Sequence, residues 1–527
     1  MTPRFKLTYG VRGDVLLFDN SSIITNPNIA ALDFGGRRID TGLWPKPNVQ
    51  VSPRVGFNWD VYGDKSIVVR GGTGLFQGRL PLVFFTNMPQ YSGMIQGSYG
   101  LSANFNKDTG VLEYKPETLE KLNQLVAGGK FMTATKEIAK MFDLPTSPSA
   151  ESAGYGGNAS NGYIVGVDPN FKMPQIWKTS LALDLQLPTS FPLSMTAEGM
   201  YNKTLWGVCM EDWNIDNSKL TATFDGPDKR VNYAAATGYQ YTDFSMYTMT
   251  NTNKGWGYTF NFTVNAEPVR NLNLMFAYTH TEAKEISGMP GSAANSVFTG
   301  MPTISGTNLS GLQRSQYVLP DKVIASVSYF LPLRVFGGKG LHFNAFYSGS
   351  SSYGNSYIYS NDMNGDGNAT DLIYIPATKE EIAFKNPADA DAFWTFVNND
   401  KYLSKNKGKY AEAYAGRAPW VHRVDLRIAE DFAFKIGSTT HNFQLSASID
   451  NVGNMINSSW GIQKLSCYQG SLTGTIAPLK YEGVEGGVPT FSMVKVDDAY
   501  PTQNYTKTYK DYGQCWKILF GLKYFFN

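Results

Sequence analysis

WKTSLALDLQL, residues 177–187, decides the fold. Trp177, Thr179, Leu181, Leu183, Leu185 and Leu187 stand at every second position, with Lys178, Ser180, Ala182, Asp184 and Gln186 between them. Side chains alternate across a strand, so this segment is a strand with one apolar and one polar face. The turn PTSFP (188–192) follows, and then Leu193, Met195, Ala197, Gly199 and Tyr201 alternate against Ser194, Thr196 and Glu198. The two halves make a hairpin with one greasy and one wet face.

The pattern recurs along the chain. Tyr258, Phe260, Phe262, Val264 and Ala266 lead through EPVRN (267–271) to Leu272, Leu274, Phe276 and Tyr278. Val323, Ala325, Val327, Tyr329 and Leu331 lead through PLRVFGGKG to Leu341, Phe343, Ala345 and Tyr347. Val424, Leu426 and Ile428 oppose Arg423, Asp425 and Arg427, and past GSTT (437–440) the residues Phe443, Leu445, Ala447 and Ile449 continue. Val55, Phe57, Trp59 and Val61 precede the tight turn YGDK (62–65), with Ile67 and Val69 after it. Twelve strands are expected, at about 5–18, 51–61, 66–78, 175–187, 193–207, 255–266, 271–283, 321–331, 340–350, 420–434, 441–452 and 514–526.

Five short-turn hairpins are joined by long segments, at about 79–174, 208–254, 284–320, 351–419 and 453–513. Loops of this length argue against a compact soluble domain. They suit an outer-membrane barrel, which has short periplasmic turns and long extracellular loops. The closing segment CWKILFGLKYFFN presents Trp516, Ile518, Phe520, Leu522, Tyr524 and Phe526 on one face, long enough for a bilayer-spanning strand. The expected fold is therefore all-β, a transmembrane antiparallel up-and-down barrel over residues 1–527.

Composition agrees. Aromatics are 14% of residues and charged residues only 17%, and Gly (52) and Tyr (31) are abundant, as a lipid-facing wall requires. A secreted all-β protein with a glycan-binding or glycan-cleaving surface shares this composition. The net charge is +2 without a basic block, which gives nucleic acid no footing. No apolar run reaches ~18 residues, so no transmembrane helix is expected. MTPRFKLTYG runs straight into a strand pattern; an exported barrel needs a leader, so a natural start upstream of Met1 is expected.

Enzyme signatures are missing: no HExxH, GxSxG or GxxxxGK occurs. GYGGNA (154–159) matches a loose dinucleotide form but has no strand before it. His280, His342, His422 and His441 are isolated, each on or near a strand end, which suits wall or rim positions. Cys209, Cys467 and Cys515 lack metal-ligand spacing; a Cys209–Cys467 disulfide is open on compartment grounds, with inert thiols the favoured reading. In DMNGDG, Asp362, Asn364 and Asp366 are spaced to aim oxygens at one hard cation, with Asn368 and Asp371 as further candidate calcium ligands. The twelfth position is Ile373 rather than an acid, and a loop rich in turn formers explains the same residues. PETLEKLNQLV (116–126) and NPADADAFWTFVNND (386–400) are expected helices, with Leu119, Leu122 and Val126 on one face of the first and Phe393, Trp394, Phe396 and Val397 along the second; packing on the barrel rim is the favoured reading over a lid or a partner-docking surface. Tyr353, Tyr357 and Tyr359 are candidate sugar-stacking residues.

Four phrases in order resemble the TonB-dependent receptors of Bacteroidetes, particularly the Oar-like group related to SusC-type nutrient receptors. They are VSPRVGFNWDVYGDKSIVVRGGTGLFQGRLPLVFFTNMP (51–89), DMNGDGNATDLIYIP (362–376), AGRAPWVHRVDLRIAEDF (415–432) and the closing strand. The resemblance implies residence in the Gram-negative outer membrane and a wall of about 22 strands, of which this chain would supply the last twelve. It further implies an N-terminal plug that is absent here, contact with the TonB complex through that plug, a surface lipoprotein partner and uptake of a bulky nutrient. Arg423, Asp425 and Arg427 would then face the plug or the transport path. A passive porin and an Oar-like export or adhesion protein stay open beside the secreted alternative.

Overall fold

A computed structural model describes residues 3–525 apart from 96–102, 107–108, 110, 129–137, 139, 143–161, 237, 242–243, 333–337, 471–473 and 510. GYGGNA and Phe526 lie outside the described residues.

The wall is one antiparallel meander. Its strands are β1 (Phe5–Val15), β2 (Val49–Asp60), β3 (Ile67–Gln77), β4 (Gln175–Gln186), β5 (Leu193–Asp212), β6 (Gly255–Val269), β7 (Leu272–Glu285), β8 (Asp321–Leu331), β9 (Leu341–Ser350), β10 (Val421–Ile436), β11 (Thr439–Asp450) and β12 (Lys517–Phe525). Each pairs with its chain neighbours, and among the described residues β1 and β12 have one partner apiece. Register carries the alternation across the wall: Leu181 opposes Gly71 and Gly199, and Gly199 opposes Phe260. Gly71 is required there, since a side chain would meet the Ser180 carbonyl oxygen at 2.8 Å. The turn after β6 is tighter than expected, because the strand runs through a bulge to Val269 and Asn271 adopts φ +69°.

Large apolar side chains of the wall are exposed or half-exposed instead of buried. Phe520 is 76% and Leu522 73% open on β12, and mid-wall Phe260 is 45% open. A soluble sandwich would hide these side chains against a second sheet. Here the apolar band faces outward as one continuous belt, the arrangement of a transmembrane barrel.

The packed hydrophobic cores lie instead in the long connections. One joins Tyr357, Tyr359, Phe393, Phe396 and Phe491; a second joins Phe85, Met210, Met249 and Phe298; a third joins Ile29, Phe34, Ile164 and Met246. Residues 16–48 belong to this loop layer as a sixth long connection, for which alternation gives no signal. The expected loop at 208–254 starts later, because β5 continues to Asp212. Its upper end pairs with Ser245–Thr252, which also pairs in parallel with Tyr163–Val167. A second loop sheet orders Ala383–Phe384, Val488–Met493, Gly474–Glu485, Gly354–Tyr359 and Gly416–Arg417.

Both expected helices form, as Pro116–Ala127 and Pro387–Asn399. Asn386 caps the second by accepting from the Asp389 N–H at 3.0 Å, and Phe393, Phe396 and Val397 are buried beneath it. On the first helix the expected face is corrected: Leu125 is buried, whereas Leu119 and Val126 are exposed. The three cysteines are free thiols, with Cys209 buried on β5.

Candidate functional site

Two surfaces can meet a ligand: the polar face of the wall and the folded loop layer above it. On the polar face, Arg70 of β3 reaches Asp184 of β4 at 2.9 Å and Glu198 of β5 at 3.3 Å, and the Thr196 hydroxyl donates to Asp184 at 2.8 Å. A second chain crosses β9 to β11. Arg427 donates to Gln444 at 3.2 Å, Gln444 donates to Asp431 at 2.9 Å, and His342 meets Asp431 at 2.8 Å. Asp425 accepts the Asn451 N–H, and the buried Nε of Arg423 has no partner among the described residues. These cross-strand contacts fix the wall's polar groups before anything enters.

His342, His422 and His441 sit near strand ends, whereas His280 is corrected to mid-strand on β7; among the described residues the polar partners are Asp321 for His280, Asp431 for His342, the Tyr347 hydroxyl for His422 and the Tyr524 hydroxyl for His441.

The DMNGDG loop is ordered by its own side chains. Asp362 accepts from Gly365 and Gly367 at 2.7 and 2.8 Å, Asn364 from Asp366 at 2.8 Å, and Asp366 from Asn368 at 2.8 Å. Asp371 turns the other way and accepts from Met363 and Asn364. Gly365 and Gly367 take φ of +80° and +89°, a geometry that makes glycine the fitting residue at both. Among the described residues no three His, Cys, Asp or Glu side chains converge as a metal cage. Burial pushes the Asp366 carboxyl up to about 6 and that of Asp371 to about 7, the latter despite the nearby Arg230 guanidinium.

Arg230 is the group that sequence reading missed. It is wholly buried, donates from Nε to both Asp228 oxygens at 3.0 Å and from Nη2 to the Leu372 carbonyl at 2.6 Å, and lies 3.6 Å from Asp371. Its guanidinium also lies 4.9 Å from the ring centre of Tyr359. The Tyr359 and Tyr410 hydroxyls donate to Asp228. This junction locks the loop after β5 onto the loop after β9. Nothing in its spacing announces it, because Arg230 and Leu372 are 142 residues apart.

The tyrosine expectation is corrected for two of the three residues. Tyr357 and Tyr359 are core residues, stacked on Tyr402 and Phe491, while Tyr353 remains exposed. A cavity of about 740 Å³ opens beside the upper end of β5, lined by Trp206, Glu211, Asn251, Lys254, Met301 and Asn308. Asn251 and Asn308 are committed to backbone: Asn251 donates to Lys172 and Gly207 carbonyls, and Asn308 both donates to and accepts from the Asp212 backbone. They shape the cavity and leave Trp206 and Lys254 as its aromatic and cationic groups.

Among curated proteins none matches. Solved structures similar to this chain include the outer membrane transporter YddB from Escherichia coli, at 10% identity and a TM-score of 0.39, with 84% of this chain and 39% of that one covered. The siderophore receptor PiuA from Acinetobacter baumannii follows at 9% and 0.34, covering 99% and 41%. The copper transporter OprC stands at 9% and 0.36, covering 85% and 40%. The chain thus spans about two fifths of the length of these structures. Residues 1–476 match the outer membrane beta barrel domain, and the chain belongs to that family.

Proposed function

We propose that this chain forms part of the wall and the ligand-binding exterior of an outer-membrane import receptor that takes up a bulky nutrient with energy supplied through a TonB-type complex. The observation that carries the proposal is the loop layer. A passive pore gains little from connections that bury their own aromatic cores and a fully desolvated arginine above the wall, whereas a receptor needs such a preorganised surface. The polar wall face, where the Arg423 Nε has no partner among the described residues, suits contact with a plug. A surface lipoprotein docking on the loop layer belongs to the same proposal. So does calcium in the loop of Asp362, Asn364, Asp366, Asn368 and Asp371, which calorimetric titration of the purified protein with calcium chloride tests.

Uptake by cells with and without the gene is the decisive experiment. Oligosaccharides, peptides and metal chelates are supplied in turn, with and without a proton uncoupler. The expected result is loss of one nutrient's uptake in the deletion strain and the same loss on uncoupling. Diffusion of many small solutes, limited by size and indifferent to the uncoupler, would replace this reading with that of a porin.

A further inference from the structure

One rung of the wall alternates tryptophans with cations. Register places Leu75 of β3 opposite Trp177 of β4, Trp177 opposite Lys203 of β5, Lys203 opposite Trp256 of β6, and Trp256 opposite Lys284 of β7. Lys284 in turn opposes Arg314 on the short strand Gln313–Arg314. Directly opposed residues project from the same face of a sheet, so Trp, Lys, Trp, Lys and Arg stand side by side. Period two puts this face in phase with Leu181 and Phe260, the outward apolar side.

The rung lies at the loop end of these strands. Two residues below it come Thr179, Tyr201, Tyr258 and Glu282, and two further down Leu181, Gly199, Phe260 and His280. On β4 to β6 the surface therefore passes outward from Leu181 and Phe260 to tyrosine and then to tryptophan with lysine, the sequence of a bilayer's hydrocarbon, interface and headgroup layers, while β7 carries His280 and Glu282 on the same face. Trp177 is 42% exposed, and Tyr201 packs edge-on against it at 6.3 Å between centres.

Charge bookkeeping singles out one residue. Lys284 and Arg314 both reach Glu412, at 2.8 and 3.0 Å, and Arg314 stands 3.6 Å from Glu282. Lys203 makes no ion pair among the described residues, although it stands between two tryptophans. Lys203 and Lys284 are two strands apart, about 10 Å, a span that one lipid headgroup covers.

We propose that the outward rung Trp177–Lys203–Trp256–Lys284–Arg314 is a binding site for a phosphate-bearing lipid headgroup of the outer leaflet. Lys203 supplies the cation that makes no ion pair among the described residues, the tryptophans supply the interfacial platform, and the Glu412-held Lys284 and Arg314 form the fixed end. The occupant is lipid because the rung is continuous with the hydrocarbon-facing wall, and phosphate because Lys203, at headgroup depth, is cationic and makes no ion pair among the described residues.

The test uses the folded chain in neutral detergent micelles, titrated with diphosphorylated lipid A, with its dephosphorylated form, and with inorganic phosphate as separate arms. Retained heat-modifiable gel mobility certifies each variant as folded. The expected result is tighter binding of the phosphorylated lipid and a loss of about fivefold in Lys203→Gln, the worth of one lysine at a membrane surface. Lys203→Arg should retain binding, and Lys178→Gln, one residue beyond Trp177 on the opposite face of β4, should leave it unchanged. Equal affinity for the two lipids, wild-type binding by Lys203→Gln, an equal loss in Lys178→Gln, or displacement by inorganic phosphate would each overturn the proposal.

Discussion

Arg230 shows how one side chain can decide the order of a whole surface. Replacing it with methionine keeps the volume but leaves Asp228 and Asp371 buried without their cation, a defect that costs about 3–5 kcal/mol in comparable buried pairs. Arg230→Met should therefore open the loops after β5 and β9 to limited proteolysis while the wall keeps its heat-modifiable mobility. Adding Asp228→Asn should recover part of the protection, because one unpaired charge is removed. Wild-type protease resistance in the single variant would refute the junction. Glu412 offers a second residue-scale prediction. Burial raises its carboxyl, but hydrogen bonds from Lys284 and Arg314 prevail and hold it below the usual range. A depressed carboxyl adds stability that is complete above its unfolded value and is lost as pH falls through the folded one. Cleavage within 351–420 should then increase below about pH 4, and Glu412→Gln should flatten that step.

Among the elements, the strands were legible and the loop layer was not, for a physical reason. Hydrocarbon on one side and polar contacts on the other force period two on every wall strand, so WKTSLALDLQL announces itself. The turn chemistry of DMNGDG and the cap at Asn386 are equally local, and both formed as read. Ile29, Phe34 and Ile39 have no such period, because their partners Ile164 and Met246 come from distant segments of irregular chain. Tyr357 and Tyr359 misled for the same reason: a tyrosine in a Ser- and Gly-rich loop looks like a surface ligand until the loop proves to have a core. The two-faced strand is itself testable on β6. Phe262 points outward between Ala197 and Tyr278, whereas Thr263 points to the polar face between Thr196 and Ala277. Phe262→Lys should destabilise the protein in lipid by about 2–4 kcal/mol, as cationic substitutions do near a bilayer midplane, and Thr263→Lys by far less. Urea unfolding in bilayers measures both, and equal costs would contradict the outward assignment.

At the scale of the molecule, two stabilising principles are stacked along one axis. The wall is held by ladder hydrogen bonds that have no competitor in hydrocarbon, and its apolar side chains stay exposed to the surroundings. The loop layer is held by burial in water, through cores built on Tyr357, Phe85 and Ile29 and by the Arg230 junction. Burial of apolar surface weakens as denaturant rises, whereas ladders within lipid are shielded from it. The two layers meet mainly through strand extensions such as the upper end of β5, so disorder above need not propagate below. We therefore expect two transitions in bilayers titrated with urea. The first should abolish protease resistance of the loops and leave the heat-modifiable band intact; the second, at higher denaturant, should remove that band. Arg230→Met should lower the first midpoint and spare the second, and Phe262→Lys should do the reverse. A single transition seen alike by both probes would mean that the loop layer and the wall fold as one unit, and the separation argued from their different solvents would fail.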